Sequence, residues 1–368
     1  VPAMPVVPPV AGRAPQLHVV QLLGGGSAGT GAHVRSLAAG LDARGVRVTV
    51  CASQYAERRY DFGGTGARFI PLPVRAQADA VRTLRAICCD ADLVHAHGMR
   101  AGLVAALALR RRSVPLVVTW HARPADQGVR ERLRRLTERW VARAASVVLG
   151  ATSDLVARAR RRGARDARLA PVALPAQRTA RSQESEPHKV RAELGVVDRP
   201  LLIAEQGHDM LLAAARGWRW LDPQPLLVMA GEGPQRPVWQ RRIEREGLPV
   251  RLLDRAQDVR RLLPVADVAL AAPRWEARPE LAQEALRGGV PLVATAVGGV
   301  PELVGDAAVL IPYGEVAALT AAVRTLLADP DRRAALTLAG RARARSWPTE
   351  DTTVAQVLSV YDELSGTR

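Results

Sequence analysis

Two successive series of short apolar runs, each followed by a helix-compatible segment, restrict the fold of this 368-residue chain more than any other feature. From Leu17 to about Leu174 the runs are LHVVQLL, VRVTVCA, ARFIPLP, DLVHAH, PLVVTW, ASVVLGA and ARLAPVA. From Pro200 the rhythm restarts as PLLIA, PLLVMAG, VRLLD, ADVALAA, VPLVATA and AAVLIP. Apolar runs bounded by Gly or Pro and alternating with helices mark parallel strands covered on both faces. The expected class is α/β, with two Rossmann-like, doubly wound domains facing an interdomain cleft. The expected boundaries are 16–175 and 200–346. Between them, 176–199 is polar and proline-bracketed, as a linker is. Residues 1–15 read as a proline-rich disordered tail rather than a signal peptide, and 347–368 as a helix packing across the junction. Ligands of open α/β sheets bind outside the carboxyl ends of the strands, so the cleft is the expected site.

Composition removes several other classes. No apolar stretch approaches the roughly eighteen residues a membrane span needs. Three cysteines, Cys51, Cys88 and Cys89, lack metal-ligand or redox spacing, which points to a reducing, cytoplasmic setting. The formal charge is +16, and of the 52 basic residues only Lys189 is lysine. Such a surface attracts anionic lipid headgroups or phosphorylated substrates. Nucleic acid is not expected as a partner, because aromatics are only 4% and the arginines are spread along helices such as 130–143.

The first run leads into LLGGGSAGTGAHVRSLAAGL, a glycine turn opening a helix. There the backbone N–H groups of Gly25 and Gly26 can approach a phosphate or sugar, although a turn needed only for close helix–strand packing reads the same way. An NAD site is disfavoured because the second strand ends in Cys51 and Ser53 instead of an acidic residue, while Arg58 and Arg59 keep an NADP-dependent reductase in view. His95, His97 and His121 fall at strand ends. His95 reads as a buried histidine satisfied by backbone, and His121, beside Trp120, as the functional candidate. No carboxylate or thiolate completes a metal set in either segment.

In the second half, Glu276 leaves a strand and Glu284, eight residues on, lies in the following helix, ahead of the turn Gly298-Gly299. That spacing sends two carboxylates toward one cleft. Each can accept two hydroxyl hydrogen bonds, which suits a ribose diol and a sugar hydroxyl.

Together the glycine loop, DLVHAH, TWH, AGEGP from Ala230 to Pro234, Asp258-Val259, the WE with its second glutamate, VGGVPELV and the terminal YDEL resemble retaining glycosyltransferases of family 4. The resemblance runs from Leu17 to Leu364 and implies the GT-B fold. It implies a nucleotide-diphosphate sugar donor, held mainly by the C-terminal domain at Gly231, Arg278 and Glu284 together with Gly25 and Gly26. It also implies a hydroxyl acceptor on the side of His97 and His121, whose identity stays open, a lipid-linked alcohol at an anionic membrane being one candidate. His121 and Glu276 carry the catalytic roles, with Glu284 on the ribose and Glu276 beside the donor sugar. Neither metal nor cofactor is expected.

Three departures from the family pattern stand out. Ala277, Arg278 and Pro279 replace a glycine-rich loop, and Pro279 has no N–H. Asp254 replaces a usual glycine, and Pro273 a usual serine. After PLLIA the chain runs directly to Gln206-Gly207, with Glu205 where an arginine and a lysine usually neutralise the diphosphate. Arg274 and Arg278 are the expected substitutes. The competing readings are a binding protein that lacks this clamp, a nucleotide-sugar epimerase and the reductase.

Overall fold

A computed structural model of the chain describes residues 16–25, 28–72, 77–123, 129–170, 172–173 and 187–366. The expected tail at 1–15, residues 176–186 of the expected linker, and Gly26 lie outside them.

The first half forms seven strands: β1 His18–Leu23, β2 Arg47–Ala52, β3 Arg68–Pro71, β4 Leu93–His97, β5 Leu116–Trp120, β6 Val147–Gly150 and β7 Ala167–Leu169. They make one parallel sheet in the order β3-β2-β1-β4-β5-β6-β7. The second half adds β8 Leu201–Ala204, β9 Leu226–Ala230, β10 Val250–Leu253, β11 Val268–Ala271, β12 Leu292–Thr295 and β13 Val309–Ile311. Its parallel sheet runs β10-β9-β8-β11-β12-β13. Strands buried on both faces are apolar nearly throughout, which is why β1, β4, β5, β8, β11 and β12 could be read from sequence. In both sheets the order reverses beside the first strand of the half, β1 or β8, and this reversal opens the crevice in which such folds bind ligands.

Helix Pro330–Arg345 packs on helix Glu280–Gly288 of the second half, with Gly340 close against Leu286. The chain then crosses back. Helix Glu350–Ser365 buries Val354, Val357, Val360 and Tyr361 in the first half's core with Val34, Leu37 and Leu41. A side chain at Gly40 would meet Val354 Cγ2 at 2.5 Å, so glycine lets the two helices touch.

The carboxyl ends of the two sheets face one another. Trp275, after β11, donates its indole N–H to Asp154, after β6, at 3.0 Å. Glu302 accepts the backbone N–H of Ser153 at 3.1 Å, capping the start of helix Ser153–Arg161 from the opposite domain. Among the described residues, no helix is long and apolar enough to cross a membrane.

Candidate active site

On the first sheet, Gly24, Gly25, Thr30, His97, Gly98, Trp120, His121 and Glu138 line a cavity of about 270 Å³. The glycines there have separate reasons. A Cβ on Gly24 would stand 2.6 Å from the Ala101 amide nitrogen, so close packing demands that residue. Gly25 has φ +101° with open space beside it, so its backbone is held in a glycine conformation facing the cavity. Close packing thus accounts for Gly24, while Gly25 leaves its backbone open toward the cavity.

Four imidazoles gather at this end. His33, four residues into the helix turn after Gly29, meets His97 and His121 edge-on at 5.7 and 5.6 Å between ring centres. His95 and His97 lie 4.1 Å apart. His95 is satisfied by the side chains of Thr119 at 2.7 Å and Tyr361 at 2.6 Å, rather than by the backbone as the sequence led us to expect. Burial holds all four rings neutral. It pushes His33 down to about 4 and His121 down to about 3, the latter helped by His33. His95 and His97 are lowered by the same burial and by the neighbouring rings. At the cavity wall Glu138 is buried among Arg134, Arg158 and Arg162 at 2.9, 2.8 and 2.7 Å. Burial opposes its ionisation, but the bonds from Arg158 and Arg162 hold its carboxyl below the usual range.

Across the cleft, Glu276 is fixed from behind. Gly299 N–H donates to the Glu276 carbonyl at 3.0 Å. A Cβ on Gly298 would stand 2.2 Å from that carbonyl oxygen, and one on Gly299 would stand 2.2 Å from the Ala277 carbonyl and 2.3 Å from Thr152 Cγ2. The double glycine thus lets its turn press on the Glu276 loop and on the opposite domain at once. Burial pushes the Glu276 carboxyl up to about 7, with Glu280 adding and a bond from Gln206 opposing.

Glu205, Glu280 and Glu284 surround a single cation, Arg260, at 3.1, 2.7 and 3.5 Å. Arg260 ends the short helix Ala256–Arg260, two residues after the Asp258 that sequence reasoning did note. Burial pushes Glu205 up to about 8 against the opposing effect of Arg260, with the other three glutamates adding. Glu284 is likewise raised by burial, opposed by Arg260. The short connection after β8 is tight: Gly207 has φ +88°, and a Cβ there would stand 2.1 Å from the Ala272 carbonyl oxygen.

The other expected residues lie elsewhere. Arg278 turns to the domain junction, its guanidinium 5.7 Å from the Trp347 ring centre, with Arg287 at 5.4 Å on the same ring. Burial, with Arg287 and Arg343 nearby, lowers Arg278 to about 10. Arg274 is exposed. Gly231 spends its N–H on the Leu253 carbonyl at 2.6 Å, so packing against β10 accounts for this glycine. Asp254 pairs with Arg236 at 2.9 Å. The cation that meets Glu284 is therefore Arg260, while Arg278 turns away to Trp347.

The family model for glycosyl transferase 4-like domains matches residues 28–175, and that for glycosyl transferases group 1 matches residues 194–343. A GDP-mannose-dependent α-(1-6)-phosphatidylinositol monomannoside mannosyltransferase of Mycolicibacterium smegmatis is 32% identical over 193 residues, 46% of this chain and 50% of that protein. This chain's match thus spans half the length of that relative. A glycogen synthase of Mycobacterium tuberculosis is 31% identical over 290 residues, 72% of this chain and 68% of that protein. Among solved structures, Anabaena HepE in complex with UDP matches with a TM-score of 0.77 at 19% identity, over 94% of this chain and 100% of that one. That likeness speaks for the fold alone. The two matched domains, their order and the shared GT-B architecture show that the chain belongs to the group 1 glycosyltransferases.

Proposed function

We propose that the chain transfers a hexosyl group from a nucleotide-diphosphate sugar to a hydroxyl acceptor, with retention of configuration and without a metal or cofactor. The observation that carries this reading is the opposition across one cleft of the Glu276 loop, braced by Gly298-Gly299, and the cavity lined by Gly25 and His121. In this reading Glu284 accepts the ribose diol and Glu276 lies beside the donor sugar. His97 and His121 are on the acceptor side. A mannosyltransferase relative is named as GDP-mannose-dependent, and HepE has been crystallised with UDP-glucose as well as UDP. The departing diphosphate is stabilised while the acceptor hydroxyl attacks from the same face, so positioning and electrostatics do the chemistry.

Arg260 takes the role of the missing clamp. Glu205, kept neutral below about pH 8, does not repel the diphosphate and can donate a hydrogen bond to it. The acceptor is read as lipid-linked and presented at an anionic membrane face. Helix Val129–Ala144 supports this: Glu138 on one side lines the cavity, while Leu133 and Leu136, 66% and 60% exposed, stand among exposed Arg132, Arg135 and Arg139 on the other.

The test is a screen of UDP-, GDP- and ADP-sugars with EDTA present, measuring nucleotide release with and without alcohol acceptors in anionic vesicles. We expect one donor to be consumed, faster with acceptor, and the product to keep the donor's anomeric configuration. Tight nucleotide binding with no donor consumed would favour the second reading, a binding protein, which the engagement of Arg260 by Glu205, Glu280 and Glu284 supports.

A further inference from the structure

A polar chain runs through the first domain's core to the cavity. Gln21 in β1 donates its amide N–H to the Tyr361 phenol oxygen at 2.8 Å, and its carbonyl oxygen faces His97 Nε2 at 2.6 Å. A carbonyl oxygen only accepts, so His97 carries its proton on Nε2. Its Nδ1 is then bare and must accept from the ring nitrogen 3.3 Å away, His121 Nε2. His121 therefore carries its own proton on Nε2. At the other end the Tyr361 proton goes to His95 Nδ1, and His95 donates Nε2–H to Thr119 Oγ1. Among the described residues, nothing bonds to His121 Nδ1. The indole N–H of Trp120, lining the same cavity, likewise has no acceptor there.

We propose that Gln21 and Tyr361 are positioning residues that fix the His121 tautomer through His97, so that His121 Nδ1 offers a lone pair to the O–H of an alcohol in this cavity. This rests on the reading of the cavity as the acceptor side. Because burial keeps the rings neutral, tautomer choice rather than protonation sets what His121 can do near neutral pH. The residue that sets the polarity, Gln21, is a buried amide in the middle of a sheet, and Tyr361 reaches it from a helix 340 residues away in sequence.

The experiment is ¹⁵N NMR of the full chain labelled at histidine, with His121 and His97 assigned by single His→Gln variants. No substrate is needed, so the outcome is independent of the donor screen. We expect both rings in the Nε2–H form, dominant by about tenfold or more, a ratio that about 1.4 kcal/mol sustains. Gln21→Glu, held protonated by burial, accepts from His97 through its carbonyl oxygen and donates its O–H to Tyr361 as the amide does, and so keeps both tautomers, whereas Gln21→Met mixes them. Nδ1–H on His121 in the wild-type protein, the result of an amide turned the other way, would overturn the proposal. So would tautomers that ignore Gln21→Met while the variant remains folded.

Discussion

Replacing Glu205 by glutamine should stabilise the protein, and by an amount that depends on pH. In the folded chain burial pushes this carboxyl up to about 8 from an ordinary 4.5, in spite of Arg260 at 3.1 Å. In the unfolded chain it ionises near the ordinary value. A group whose folded pKa is raised gives stability that is present in full below the unfolded pKa and lost as pH climbs through the folded one. Between pH 4.5 and 8 the wild-type protein therefore loses stability that Glu205→Gln keeps. The full difference corresponds to on the order of 5 kcal/mol. Relaxation and water entry around a loop at the cleft cut such penalties, and half of it, about 2–3 kcal/mol, is the working figure. At about 2–4 °C per kcal/mol for a domain of this size, the variant should melt on the order of 5–10 °C higher at pH 8.5. At pH 4.5–5 the two proteins should nearly coincide. Melting curves followed by circular dichroism at half-unit pH steps read this directly. A difference constant across the range would show that Glu205 ionises normally and that the carboxylates are not packed around Arg260 as described.

Arg260→Met leaves three partly buried carboxylates without Arg260 and should destabilise by on the order of 2–4 kcal/mol, more at pH 9 than at pH 6 because protonation of Glu205 relieves the repulsion. Urea melts at the two pH values test this, and equal losses contradict it. Tyr361→Phe removes the phenol between Gln21 and His95 and should cost about 1–3 kcal/mol, the usual penalty for leaving buried polar groups unpaired. An unchanged denaturation midpoint would mean that neither group depends on it. His121→Ala should lower transfer to acceptor while nucleotide affinity, measured by calorimetry, and the melting temperature stay close to wild type. A large stability loss without selective kinetic change would make His121 a core residue only.

The sequence made the strands of both sheets legible because buried parallel strands are apolar on both faces. It also placed Glu276 at a strand end and Glu284 in the next helix. What it did not show are groups brought together by the fold. Arg260 precedes Glu280 by twenty residues and meets it at 2.7 Å only because its short helix and the helix Glu280–Gly288 both open at the carboxyl edge of the second sheet. Arg278 was an expected substitute because it lies two residues after Glu276, yet its loop turns it toward Trp347. Gln21 looks like an ordinary interruption in an apolar run, and its role depends on a tyrosine at the far end of the chain. His33 was within reach of sequence reasoning. It lies one helical turn after the glycine loop, on the face that the loop must present to the strand ends.

In the proposed function the second domain holds the donor, with Glu284 on the ribose and Glu276 at the sugar. This assignment is tested most directly by calorimetric titration of wild type, Glu284→Ala and Glu276→Ala with a free nucleoside diphosphate and then with the intact nucleotide sugar that the donor screen selects. Glu284→Ala should weaken both ligands alike, by about 1.5–3 kcal/mol, the range for hydrogen bonds to a charged group. Glu276→Ala should leave the free nucleotide nearly unaffected and weaken only the sugar-bearing donor. Equal losses for both ligands in both variants would contradict the assignment.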